Sequence, residues 1–160
     1  MTTDAFGTVT SDIAAGEWAS TAAGLRADGY DFFDWLSAYD DGPAGIAVVM
    51  RVMSAVDHRA ILLRTRVDRE AGRLPTLTPV WPGAAWHERE TTEMFGIEFE
   101  GHPDPRPPLL PEGFQGHPLR KEFVLASRAA KEGPGAKEPG ESVAGRKRPL
   151  GVPKSGEWSS

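Results

Sequence analysis

The chain has four histidines, and two of them sit in the same tripeptide: Gly101-His102-Pro103 and Gly116-His117-Pro118. Asp104 follows the first. Two imidazoles and a carboxylate form a donor set that suits zinc or iron, and a metal held there would point to a hydrolase. The flanking residues argue the other way. Glycine before and proline after fix the backbone at a turn, where a histidine ring hydrogen-bonds a neighbouring backbone group or carboxylate. His87, with Glu88 and Glu90 after it, is the next candidate. A zinc-protease helix needs a second histidine four residues on, and position 91 is threonine, so that motif fails. A third group is a cluster of charge: Glu88, Arg89, Glu90, Glu93, Arg106, Arg120 and Lys121. Opposite signs at short range suggest ion pairs joining a helix to a loop, within the chain or across a subunit boundary. Trp81 and Trp86 flank a proline–glycine turn and suit anchoring in a core or interface better than ligand stacking. There is no cysteine, no GxSxG, no GxGxxG and no GxxxxGK, so neither a nucleophile nor a phosphate or dinucleotide loop is signalled.

The background to these residues is a 160-residue chain, long enough for one ordinary domain. Without cysteine it offers no thiolate ligand for zinc or iron–sulfur clusters. Residues 1–12 lack the basic and apolar regions of a signal peptide. No apolar run approaches the roughly 20 residues that span a bilayer. These features lead us to expect a cytoplasmic protein, with peripheral attachment to a membrane complex open. The net charge of -5 argues against nucleic acid as a partner. It is unevenly spread: 11 basic against 19 acidic residues before Ser127 (-8), then 7 against 4 (+3).

Residues 1–11 look like a frayed, flexible start. Ile13, Trp18, Ala22, Ala23 and Leu25 suit one helical face that Gly29 could end. Tyr30, Phe33 and Leu36 recur about three apart, which predicts a second helix over 30–39. Gly45–Ser54 and Ala60–Asp68 read as two strands of an antiparallel hairpin, the second alternating apolar with charged residues. A loop through Glu70, Gly72, Arg73 and Pro75 follows. Then comes a short helix over 86–94, with Trp86, Met94 and Phe95 as an apolar flank clamped under the sheet and Gly96 as its stop. Residues 96–123 hold six prolines and four glycines, which excludes a long helix or a central strand. Ile97, Phe99, Leu109, Leu110, Phe114, Leu119 and Phe123 nevertheless recur through it. A long irregular segment with buried anchors is expected to be functional. Residues 127–160, with six glycines, four prolines and the basic run Arg146-Lys147-Arg148, read as a disordered or extended tail. The expected organisation is a flexible start at 1–11, an α+β domain at 12–126 with a small mixed or antiparallel sheet and packed helices, and the tail.

The segment from Val80 to Phe123 resembles the 30-kDa subunit family of respiratory complex I, whose bacterial members belong to the NADH–quinone oxidoreductase. Trp81, Ala84, Trp86, Glu88, Arg89 and Glu90 match the first part of the family's pattern. Phe95, Gly96, Ile97, Phe99, Gly101, His102 and Pro103 match the second, and the run Gly116 to Phe123 matches the third. The sequence departs where the family has an aspartate between the first two parts: Thr91, Thr92, Glu93 and Met94 stand there, and either Glu93 takes over the carboxylate role in an offset position or nothing does. Pro105 and Pro107 replace a leucine and an arginine. The resemblance implies a non-catalytic subunit of the peripheral arm, lying on the cytoplasmic side of the cell membrane and touching the membrane only through the complex. It implies no cofactor in this chain, while the parent complex uses FMN, iron–sulfur clusters, NADH and quinone. The implied partners are the large hydrogenase-like subunit of the quinone chamber and other peripheral-arm subunits. Related subunits serve membrane-bound hydrogenases and ferredoxin-linked complexes. The residues it marks for docking are Trp86, Glu88, Arg89, Glu90, Phe95, Gly96, His102, Asp104, Arg106, Gly116, His117, Pro118, Arg120 and Lys121.

Overall fold

The computed structural model describes residues 1–3 and 8–124. Its main sheet has five strands in the order β1-β2-β5-β4-β3: β1 Thr2–Thr3, β2 Val9–Asp12, β3 Phe32–Asp40, β4 Ile46–Met53 and β5 Ala60–Val67. β3, β4 and β5 form an antiparallel meander, and β2 joins β5 in parallel. Two helices, α1 Trp18–Ala27 and α2 Ala84–Phe95, and a parallel pair of short strands, β6 Arg73–Pro75 and β7 Glu98–Glu100, complete an α+β fold.

Strict alternation sorts the meander into two faces. In register, Leu36, Met50 and Leu63 face inward, as do Ala38, Val48 and Thr65. Trp18 and Ala22, one helical turn apart on α1, join them in the core, together with Ala84 and Phe95 of α2 and Leu74, Leu77 and Ile97. Each fully buried Leu, Val or Met contributes about 1.5–3 kcal/mol of transfer free energy. Arg51, Arg64 and Arg66 lie on the opposite face and pair with Asp34, Asp12 and Asp41.

The hairpin and the helix stopped by Gly96 are found where the sequence put them. The helix expected over 30–39 is instead β3. A β-bulge explains the misleading period: Phe33 pairs with Val52 and Leu36 with Met50, and Asp34 is the extra residue between them. The bulge lets Phe33 and Leu36 face inward although three residues apart, which imitates a helical spacing. The frayed start is corrected as well, since Val9–Asp12 is a strand and Thr2–Thr3 pairs with it. Part of the loop at 70–75 is β6. The tail at 127–160, with its basic run, lies outside the described residues.

Candidate functional site

The candidate residues gather around α2. Ala84, Glu88, Thr91 and Phe95 fall on one helical face and are all buried. A carboxylate at the centre of a buried face must be satisfied from nearby. Glu88 takes the Thr76 hydroxyl at 2.5 Å and the Leu77 N–H at 2.6 Å. Burial pushes its pKa upward, and these two hydrogen bonds and nearby His102, at 3.9 Å, oppose the rise. Glu88 therefore ties α2 to the segment leaving β6.

His102 joins the same helix to the chain after β7. Its Nδ1 accepts the Asp104 N–H at 3.0 Å, which leaves Nε2 to donate to the Ala85 carbonyl at 3.0 Å. Both ring nitrogens are used. Asp104 holds Arg106 through two bonds of 2.7 and 2.8 Å, and Arg106 holds its carboxyl well below the usual carboxylate range. Arg89 donates to the Arg106 carbonyl at 2.7 Å and lies 5.7 Å from the centre of the Trp86 ring. Glu93, 7% exposed, accepts the Leu109 and Leu110 N–H groups at 2.9 and 2.7 Å. The offset carboxylate thus fastens the proline-rich loop to α2.

The run from Gly116 to Arg120 finishes the C-terminus of α2. A helix ends with carbonyls that have no partner of their own. Here the Gly96 N–H takes the Thr92 carbonyl, His117 Nδ1 that of Glu93 at 2.9 Å, and the Leu119 N–H that of Met94 at 3.3 Å. Arg120 Nε takes the Phe95 carbonyl at 2.7 Å, placing a cation at the negative end of the helix dipole. A second nitrogen of Arg120 reaches the Arg69 carbonyl at 2.8 Å. Gly96 is left-handed, with φ 72°, and a Cβ there would stand 2.5 Å from His117 Nε2 and 2.7 Å from Arg120 Nη2. Gly116, with φ 85°, turns the chain against the Phe123 ring. Finally Asp40, almost fully buried, binds the Arg69 guanidinium and accepts the Lys121 N–H at 2.8 Å. Those two groups hold its pKa far below the usual value.

The structure thus brings Glu88, Arg89, Phe95, Gly96, His102, Asp104, Arg106, Gly116, His117 and Arg120 into one framework that binds the neighbouring loops to α2, and Pro118 is half-buried between His117 and Leu119 in the chain. Glu90 is half-buried on the helix, and the Lys121 backbone, not its side chain, makes the bond to Asp40. Trp86 departs from expectation. It is 49% exposed with Arg89 over it, and Trp81 on the other side of the Pro-Gly turn is the buried one. Leu109, Phe114 and Leu119, expected as buried anchors, are also exposed; Ile97 and Phe99 are the ones that anchor. The two GHP histidines do not converge on a ligand, and among the described residues no group of three His, Asp or Glu is placed to hold a metal. Asp40, Arg69 and Thr76 were missed by sequence reasoning. Asp40 reads as a turn residue, and no local signal links it to Arg69 or Lys121.

Comparison with known proteins matches residues 11–129 to the family described as respiratory-chain NADH dehydrogenase, 30 Kd subunit. A relative from Bordetella avium, the C-type subunit of its NADH-quinone oxidoreductase, is 37% identical over 144 residues, covering 78% of this chain and 70% of that one. Among solved structures, a trypsin-resistant fragment of Nqo5 superposes with a TM-score of 0.61 at 30% identity, covering 64% of this chain and 86% of the fragment. A chain of the membrane-bound sulfane sulfur reductase, an archaeal respiratory membrane complex, gives a TM-score of 0.68 at 21% identity, covering 74% of this chain and 72% of its own, a likeness of fold.

Proposed function

Because the chain belongs to the 30-kDa subunit family of respiratory-chain NADH dehydrogenase, we propose that it is a non-catalytic structural subunit of an NADH–quinone oxidoreductase. It docks in the peripheral arm, on the cytoplasmic side of the membrane, against the large subunit of the quinone chamber. The observation that carries this reading is the use made of the candidate residues. His102, Glu88, Glu93 and Arg120 are occupied in holding loops on α2, so their chemistry is spent on shape. Outside that framework stand Trp86, Leu109, Phe114 and Leu119, exposed large apolar side chains of the kind a protein partner covers. No described helix is long and apolar enough to cross a membrane, which agrees with attachment through other subunits.

On this reading the flavin, iron–sulfur clusters, NADH and quinone belong to other chains of the complex, and the isolated chain binds none of them. Affinity purification of the tagged full chain from gently solubilised membranes tests the proposal. Recovery of the quinone-chamber subunit and the NADH-oxidising flavoprotein is expected. Recovery of a nickel–iron hydrogenase or sulfur-reducing assembly without a flavoprotein would reassign the chain to a variant complex. Turnover of NADH or quinone by the isolated chain would overturn the structural role.

A further inference from the structure

The short sheet formed by β6 and β7 has one paired side and one open side. The Glu98 N–H donates to the Gly72 carbonyl at 3.0 Å, and the Thr76 N–H donates to the Glu100 carbonyl at 2.9 Å, so the backbone groups of Glu98 and Glu100 face β6. Alternation along a strand turns those of Phe99 the opposite way. On that side the Phe99 carbonyl takes the turn N–H of His102 at 3.2 Å. The Ile97 carbonyl, Phe99 N–H and Gly101 N–H find no partner among the described residues. These groups border a groove of about 420 Å³ that runs the length of β7, with Arg89, Thr92, Pro105 and His117 on its other wall. An edge strand facing an open groove is a template for one more strand.

The side chains indicate what that strand carries. Glu98 and Glu100 project from the same face of β7, 61% and 55% exposed, and share a single cation, Arg73, at 3.2 and 3.9 Å. Two carboxylates against one guanidinium leave a negative charge on the face. The positive group on the groove's far wall is not free to neutralise it, since Arg89 is held by the Arg106 carbonyl and lies near Asp104. We propose that the open edge of β7 is completed by an extended segment of a partner protein, with Lys or Arg at alternate positions beside Glu98 and Glu100. The main chain supplies affinity through Ile97, Phe99 and Gly101, and the alternate cations supply register. A second copy of this chain fits the edge poorly, because joining two β7 strands would set Glu98 and Glu100 against themselves. The proposal rests on the reading of this chain as a docking subunit and names one contact within it.

Hydrogen exchange on the tagged full chain, alone and within its purified complex, tests the edge. The amides of Phe99 and Gly101 are expected to exchange at least tenfold more slowly in the complex. A photo-cross-linker at Pro105, an exposed residue lining the same groove, is expected to reach a partner segment with basic residues two apart. The E98K/E100K variant, whose changes are exposed, is expected to keep its melting temperature and to lose that cross-linkable contact and its protection. Unchanged exchange at Phe99 and Gly101 in a complex that still contains the other subunits would overturn the strand proposal and leave the docking reading standing. Recovery of no other subunit would overturn both. Concentration-dependent dimers abolished by E98K/E100K would replace the partner strand with a second copy and so overturn the proposal.

Discussion

At the scale of single residues, the buried carboxylates set the account. Glu93 accepts two backbone N–H groups, and a hydrogen bond to a charged group is worth about 1.5–3 kcal/mol. Glu93→Ala is expected to destabilise the chain by about 2–4 kcal/mol in urea melts and to free the loop at 107–111 to proteolysis. Gly96→Ala is harsher than its size suggests. The left-handed backbone alone disfavours alanine by about 1–2 kcal/mol, and the new Cβ meets His117 Nε2 at 2.5 Å. A lower melting temperature with loss of the 116–120 contacts is expected; an unchanged melt would contradict the tight seat of His117 on Gly96. Glu88 gives a pH signature. Its folded pKa is raised, so between the ordinary value of 4.5 and that raised value the folded state keeps a proton the unfolded chain has released. Stability from Glu88 therefore rises as pH falls through that window. Asp40 and Asp104 act in the opposite sense. Their lowered values contribute stability above 3.8, which is lost as pH falls further. Thermal melts from pH 8 to 4.5 are expected to show the mild-acid gain in the parent chain and a flatter profile in Glu88→Gln.

At the scale of elements, α2 is the post to which the loops are tied, and Arg120 is the tie at its end. It serves the Phe95 and Arg69 carbonyls at once while only 12% exposed. Arg120→Ala leaves both carbonyls without that donor and is expected to lower stability by about 2–4 kcal/mol. Arg120→Lys, with one compact ammonium in place of a fork, is expected to recover only part of it. The same scale explains what the sequence could and could not tell. The β4–β5 hairpin was legible because apolar and polar residues alternate along β5, and α2 because its end carries a glycine stop. β3 was hidden by its bulge at Asp34, which spaces Phe33 and Leu36 like helical neighbours. β2, reading Val-Thr-Ser-Asp, has no apolar run and becomes a strand by pairing with β5 on one side and β1 on the other. β6 and β7 have three residues each, too few for any period to register. At the site, the GHP turns were legible from their own glycine and proline. The link from Asp40 to Arg69 and Lys121 was not, because it joins residues up to 81 apart in the chain.

At the scale of the whole molecule, the family pattern between Val80 and Phe123 is a framework for shape. Its charged residues bind loops to α2 and leave Trp86, Leu109, Phe114 and Leu119 exposed. On the proposed reading, a subunit of this kind affects activity through the amount of complex formed. Variants that loosen the framework, Gly96→Ala and Arg120→Ala among them, are expected to reduce NADH–quinone turnover in membranes in proportion to assembled complex, with the Michaelis constant of the remaining enzyme unchanged. The most direct measurement is affinity purification of the tagged full chain from gently solubilised membranes, with mass spectrometry of what co-elutes. The quinone-chamber subunit and the NADH-oxidising flavoprotein are expected to elute together with this chain. Elution of the chain alone, or with neither of those subunits, would contradict the proposed role.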